Sequence, residues 1–330
     1  MRARSSPPQP RGGEAVTDGA VFSAGTVNAD LVMRVDAPLE RGATLIAPRP
    51  LRTSGGRGAN VAVMARRLGT AARLFGCIGV DDLTEQALAG PGAAGVDIAG
   101  VRCAPGHTGL VTILVAQDGS KTMIFAPGAN DEFSEADGAR LAADLQHAAG
   151  RCALVVDTEL SPAALLPALG VARESGRPSV LDPTRPERLT TRLLELADHV
   201  MPNADEAALL TGVAVESPAD ARRAARRLHD RGARHVHIRL PRGGCLTLWP
   251  AGEALLRPPA GVDVVDTTGA GDAFAGTLAA ALLAGCAALE AARRAVAAAA
   301  CAVARLGAQE SYPDRDAVDA MARMVRVEPW

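Results

Sequence analysis

The chain has 330 residues, 48% of them hydrophobic, and a formal net charge of −2. That is enough apolar material for a large core, and so balanced a charge excludes a strong field for nucleic acid or an anionic membrane. Aromatic residues are only 2% of the chain, which argues against a base-stacking surface.

Residues 1–18 are rich in Pro, Arg and Gly, lack an apolar signal core, and are expected to form a disordered tail. One domain is expected over 19–330. "AVFSAGTVNADLVMRV" opens as a strand, and alternation resumes in "TLIAPRPL". "TSGGRGANVAVMARRLG" is a glycine turn feeding a helix, with Val61, Met64 and Leu68 at helical spacing. "ARLFGCIGVDD" has the character of a fully buried strand. "TGLVTILVAQ" and "KTMIFAPGAN" flank Asp118-Gly119-Ser120 and predict a hairpin.

From "CALVVDTEL" onward, strand and helix patterns alternate through "PSVLDPT", "HVMPN" and "HVHIRL". This rhythm predicts an α/β fold: a doubly wound, mostly parallel sheet flanked by helices. The hairpin and the "DLVMRV"/"TLIAPRPL" pair fall outside the rhythm. They are expected to form a small antiparallel β-sheet, a lid built from approximately 30–53 and 106–127.

Four tempting features have plainer readings. "ARRAARRLHDRGARH" fits an amphipathic surface helix, with Ala and Leu inward, better than a nucleic-acid site. "AFAGTLAAALLAGCAAL" fits a buried helix better than a membrane span. The six scattered cysteines form no C-x-x-C pair and are expected as buried thiols in a reducing cytoplasm. His235 and His237 alternate, and are expected on one face of a strand rather than on zinc.

Lys121 is the only lysine, and it sits in a turn. P-loop and protein-kinase chemistry both need a lysine elsewhere. A nucleoside triphosphate would therefore be handled by backbone amides, arginine and metal.

The stretch "DTTGAGDAFAGTL", Asp266–Leu278, has the parts for that. A helix is expected to start near Gly271–Asp272, and helix N-termini carry unpaired N–H groups and a partial positive charge. Gly269, Ala270 and Gly271 let successive amides turn toward one point and form an anion nest. A dinucleotide fingerprint would need Gly or Ala where Phe274 stands. A carboxylate at Asp272 would repel phosphate, but it can take a proton from an attacking hydroxyl. An N-cap role for Asp272 is the competing reading.

Together with "GGRGANVAVMARRLG", "MPNADEAALLTG" and "RLGAQESYP", this loop resembles the ribokinase-like (PfkB) family of sugar and nucleoside kinases over roughly residues 20–320. The resemblance implies a kinase using ATP, Mg²⁺ and K⁺. Asp272 would be the catalytic base, with Gly269, Ala270 and Gly271 as the anion hole. Sugar contacts would come from Asn28, Asp30, Gly55, Gly56, Asn60 and Glu159. Asn203 and Glu206 would organise magnesium and phosphates, with Arg242, Gly244 and Gly271 on the nucleotide. A monovalent cation would sit among Asp266, Thr268, Ala302, Arg305, Gly307 and Ser311.

The polar sugar positions look like those of the family's ribose-phosphorylating branch, giving ribose 5-phosphate from D-ribose. Fructose, a keto-deoxy sugar acid or a nucleoside are the alternatives, and a catalytically silent sensor is another. A dehydrogenase lacks its fingerprint. Departures from the family pattern are Arg57, Ala43, Pro241, Val296 and Ala275, which bear on sugar identity, lid closure and nucleotide affinity. The resemblance also implies a homodimer paired through the lids, while the cysteines point to the cytoplasm and the balanced charge to no nucleic-acid or membrane partner.

Overall fold

The computed structural model describes residues 19–35, 40, 42, 44–47, 49–116 and 121–330. The expected tail at 1–18, Ala43 and the Asp118-Gly119-Ser120 turn lie outside the described residues.

The chain opens with β1 (Gly19–Ala24), then leaves the main sheet to form β2 (Asn28–Arg34) and β3 (Leu51–Gly55). Next come α1 (Arg57–Arg67), β4 (Ala71–Ile78), α2 (Thr84–Ala94) and β5 (Asp97–Cys103). A hairpin, β6 (Gly109–Val115) and β7 (Lys121–Ala126), precedes α3 (Glu135–His147). The α/β rhythm then runs β8 (Arg151–Asp157), α4 (Pro162–Glu174), β9 (Ser179–Asp182), α5 (Thr191–Leu196) and β10 (His199–Val200). It continues through α6 (Ala204–Thr211), α7 (Pro218–Asp230) and β11 (His235–Arg239) to β12 (Cys245–Trp249) and β13 (Gly252–Arg257). The chain ends with α8 (Ala270–Leu283), α9 (Ala288–Ala302), α10 (Arg315–Met324) and β14 (Arg326–Pro329).

Ten strands form the main sheet in the order β14-β13-β12-β11-β10-β9-β8-β1-β4-β5. The pairs from β11 through to β5 are parallel, and β12, β13 and β14 add an antiparallel edge. Successive residues feed opposite faces, as a doubly wound sheet requires. In β8, Ala153 and Val155 join the core under α1, α8 and α9, while Cys152, Leu154 and Val156 join the core under α3, α4 and α7. Helix α8 is buried along most of its length because it lies between the sheet and its neighbours. Gly276 permits this: a Cβ there would meet the Met64 side chain and the Val61 carbonyl of α1. No described helix is long and apolar enough to cross a membrane.

The small sheet has the order β3-β2-β6-β7. Two expectations change here. The partner of β2 is Leu51–Gly55 and not "TLIAPRPL", whose described residues 44–47 and 49–50 form no strand. The alternation there was misleading, because backbone pairing begins only as the chain approaches α1. The sheet is also mixed, since β2 and β6 run parallel. Both strands enter from the same end of the main sheet, so a parallel pairing joins the two lid segments. The cysteines also divide: Cys77, Cys152 and Cys245 are buried, but Cys103 is exposed because it ends β5 near the sheet edge.

The arginine-rich segment forms α7, capped by a reciprocal Ser217–Asp220 box, with Ala221, Ala224, Ala225 and Leu228 inward. His235 and His237 share a face, and both stack on His199. His199 Nδ1 and His237 Nε2 lie 2.9 Å apart, a distance that accommodates one proton between two neutral rings. Burial pushes the His237 ring down to about 3, and His199 well below the usual value, with the neighbouring imidazoles adding to both.

Unfolding lets these rings take protons near pH 6.5. Their contribution to stability is thus complete above that value and is lost as pH falls toward 3. His237→Gln should flatten the fall of Tm between pH 6.5 and 4.5. Equal slopes for the variant and the wild type would refute this.

Candidate active site

Four segments of the chain meet beneath the small sheet. Gly269, at φ 74°, turns the chain into α8, whose first turn carries Asp272. Asp272 is buried, and it caps nothing. Instead Asn60 Nδ2 donates to its Oδ2 at 2.7 Å, and Arg57 approaches its Oδ1 at 3.7 Å. Asn60 is itself held by Gln309 Nε2, which donates to its Oδ1 at 2.9 Å. This fixes one Asn60 orientation and aims its amide at the acid. Burial pushes the Asp272 carboxyl up, against the pull of Arg57 and the Asn60 hydrogen bond. A carboxylate raised in this way is a better proton acceptor.

Asp30 reaches the same place from β2. Gly55 makes room for it, since a Cβ there would collide with the Asp30 carboxylate. Its Oδ1 is buried without a hydrogen-bond partner. Burial, then the charges of Asp272 and Glu310, push this acid up to about 7. Gly56, at φ 93°, lets α1 start against the Thr26 carbonyl. Asn28 lies two residues back along β2, its Oδ1 taken by Asn130 Nδ2 at 2.8 Å. A cleft of about 510 Å³ opens beside Asp30, between β2, β3 and β6 of the small sheet and the loops at Asp266–Thr268 and Leu306–Ala308.

Asp30, Gly55, Asn60 and Asp272 are therefore brought together, and Glu159 is engaged by an arginine. Its carboxylate accepts from Arg185 Nε at 2.8 Å. The acid facing the site from that segment is Asp157, which lines a small internal cavity with Arg57, Asp182 and Asp272. Burial raises Asp157 to about 8, although Arg57 opposes the rise.

Asn203 and Glu206 open α6 as a reciprocal box: Glu206 N donates to Asn203 Oδ1 at 2.8 Å, and Asn203 N to Glu206 Oε2 at 2.7 Å. Glu206 is nonetheless buried, and Arg239 NH2 meets it at 3.2 Å. Burial and Asp182 push Glu206 up to about 7. The turn beyond β11 carries Arg242 and Gly244. Gly243 N donates to Leu240 O at 3.1 Å, which puts Pro241 second in a β-turn. Proline suits that position, and its missing N–H is not needed there. Val296 is buried in the core, and Ala275 lines the small internal cavity together with Asp272.

Asp266 staples two loops together. Its Oδ1 accepts from Thr268 N at 2.8 Å and its Oδ2 from Gly307 N at 3.0 Å. Ala302 ends α9, and Arg305 and Ser311 belong to the turn beyond it. Arg305 N donates to Ala302 O at 3.2 Å, and Ser311 Oγ to Ala308 O at 2.7 Å.

Sequence reasoning missed Asp157, Asp182, Arg239 and Gln309. A signal was present for three of them. "VVD", "VLD" and "HIR" each end an apolar strand in a charge, at the carboxyl edge where such sheets bind ligands.

Comparison with known proteins agrees with this geometry. The chain is 35% identical over 293 residues to a ribokinase of Haemophilus influenzae, covering 88% of this chain and 94% of that protein. A deoxyribokinase of Salmonella typhi is 30% identical over 300 residues, or 90% of this chain and 95% of that one. Arabidopsis thaliana ribokinase, solved in complex with ribose and ATP, superposes with a TM-score of 0.80 at 25% identity, covering 94% of this chain and 99% of that one. The profile of pfkB family carbohydrate kinases matches residues 19–315. One glycine motif opens α1, the other opens α8, and the match spans nearly everything between and around them: this chain belongs to the pfkB family of carbohydrate kinases.

Proposed function

We propose that this protein is an ATP-dependent ribokinase that converts D-ribose to ribose 5-phosphate. As a pfkB-family carbohydrate kinase it is a phosphotransferase with an alcohol acceptor. The observation that carries the reading is Asp272, buried at the start of α8 and aimed by Asn60, one residue from the glycines of the anion hole. The sugar's primary hydroxyl gives its proton to Asp272 as its oxygen attacks the γ-phosphorus. Amides of the first turn of α8 meet the charge that develops on the phosphoryl oxygens. Asn28, Asp30 and Asn60 grip the ring hydroxyls, with Gly55 and Gly56 letting it lie against the backbone. The unpartnered Oδ1 of Asp30 is an acceptor such a hydroxyl would satisfy.

Among the described residues no three acids, histidines or cysteines converge to hold a metal on protein ligands alone, which suits a Mg²⁺ bound mainly by water and phosphate oxygens. Asn203 and Glu206 would hold the ion through water, since their capping bonds occupy their inward oxygens. Magnesium would neutralise phosphate charge there.

An ADP-release assay across ribose, 2-deoxyribose, fructose, a keto-deoxy sugar acid and nucleosides tests the reading. Preference for ribose is expected. The ion pair of Glu159 with Arg185 makes 2-deoxyribose the second candidate, because that carboxylate is already engaged. Sugar binding without turnover on any of these substrates would favour a sensor instead.

A potassium ion beside Asp266 would order the loop between β13 and α8. Exchanging K⁺ for a large organic cation should lower turnover, and indifference to the cation would dismiss the site. Exposed Leu51, Met123 and Ile124 on the small sheet support a homodimer through the lids. Light scattering that finds only monomer would dismiss the dimer.

A further inference from the structure

We propose that Arg239 is a catalytic residue that places its guanidinium on the phosphoryl group in flight. The inference rests on the kinase reading above and adds a group that neither glycine motif contains. Arg239 ends β11, and its NH2 is held by Asp182 Oδ1 at 3.0 Å and Glu206 Oε2 at 3.2 Å. Its NH1 lies against Gly271, in the space that any side chain there would fill. Its Nε is buried and has no hydrogen-bond partner. The guanidinium thus spans from the acid of α6 to the amides of the anion hole.

That position makes little sense for a purely structural ion pair. The head of α8 carries partial positive charge, so a cation against Gly271 is repelled by its own surroundings. Two carboxylates hold it there, and an N–H is left without an acceptor at a free-energy cost. An anion in the nest removes the repulsion. A phosphoryl group supplies an oxygen for NH1, the nitrogen that lies against Gly271, and its charge offsets the helix head and the arginine together.

Asp182 is the matching positioning residue. Its Oδ1 holds Arg239, and its Oδ2 faces Arg57 NH1 at 3.4 Å. One carboxylate therefore yokes two arginines, Arg57 beside Asp272 and Arg239 beside Gly271. In a chain whose only lysine is Lys121, this pair is the cationic equipment of the site.

The step balances without further reagents. The bond from the sugar oxygen to the γ-phosphorus forms while the bond to the β–γ bridging oxygen breaks. The hydroxyl proton passes to Asp272, and ADP leaves with the electron pair. Arg239 stabilises charge on the transferred phosphoryl oxygens and exchanges no proton.

The test uses full-length protein with ATP and ribose. Arg239→Ala should lower kcat by roughly 10²–10³-fold, the scale of losing one preorganised charge stabiliser. The sugar KM should stay near wild type, while the melting temperature should fall, because Glu206 and Asp182 lose a buried partner. Added guanidinium ion should restore at least part of kcat in Arg239→Ala, and Arg239→Lys should retain more turnover than Arg239→Ala. Full turnover in Arg239→Ala overturns the proposal. So does a loss that guanidinium never rescues while Arg239→Lys melts like wild type and is equally inactive. Wild-type protein inactive on every sugar would overturn the kinase reading itself, a result visible before any variant is made.

Discussion

Asp272→Asn is expected to lower sugar-kinase turnover by roughly 10²–10⁴-fold, the range of general-base contributions. Asparagine keeps the size and one acceptor for Asn60, but it cannot take the hydroxyl proton. Sugar and ATP binding should survive. Stability should not suffer, and here the electrostatics make a sharper statement. Burial raises the Asp272 carboxyl above its usual value, so the folded state favours its neutral form. That contribution is complete below the unfolded value, near 3.8, and is lost as pH rises through the folded one.

At neutral pH the ionised acid is therefore a burden on the fold, and the neutral amide of the Asp272→Asn variant would relieve it. Arg57 loses one partner but keeps Asp182 at 3.4 Å. A dead enzyme with a Tm at or above wild type at pH 7.5 would mark Asp272 as retained for chemistry. Near-normal turnover would remove it from the mechanism.

The two glycine motifs were legible in the sequence for a physical reason. Each is a local device, a turn that feeds a helix, so neighbouring residues carry its whole logic. The parallel strands were legible too, because apolar runs alternated with helical ones. What stayed hidden depends on distant parts of the chain. No local pattern says that β2 pairs in parallel with β6, some eighty residues on. Strands β12, β13 and β14 escaped notice because an antiparallel edge breaks the rhythm that identified the rest. The resemblance pointed to Glu159 and passed over Asp157, an acid two residues earlier. Only the fold shows that Arg185 claims the first and leaves the second facing Arg57. Gln309 was invisible for the same reason: its partner, Asn60, is 249 positions away.

The anion hole itself can be dissected with two glycines that fail differently. Gly269→Ala should impair both fold and turnover. Gly269 sits at φ 74°, where an L side chain is strained, and its Cβ would press on Ala308 and on Tyr312. Neither neighbour can yield easily. Tyr312 is buried and hydrogen-bonds the Gly269 carbonyl at 3.2 Å, and Ala308 holds the loop that Asp266 staples. A loss on the order of 1–3 kcal/mol is expected, read as a lower Tm.

Gly271→Ala meets only the tip of Arg239, the far end of a flexible side chain. It lies in the first turn of α8 with ordinary helical geometry, where alanine is the better helix former by roughly 0.5–1 kcal/mol. Its Tm should match wild type. Turnover should still fall by roughly 10²-fold, because a methyl group now occupies the space the phosphoryl group must enter and pushes Arg239 off its line. Activity measurements and melting curves on both variants separate the two causes. If Gly271→Ala turned over like wild type, phosphoryl transfer could not pass so close to that amide, and the anion hole would have to lie elsewhere on the loop.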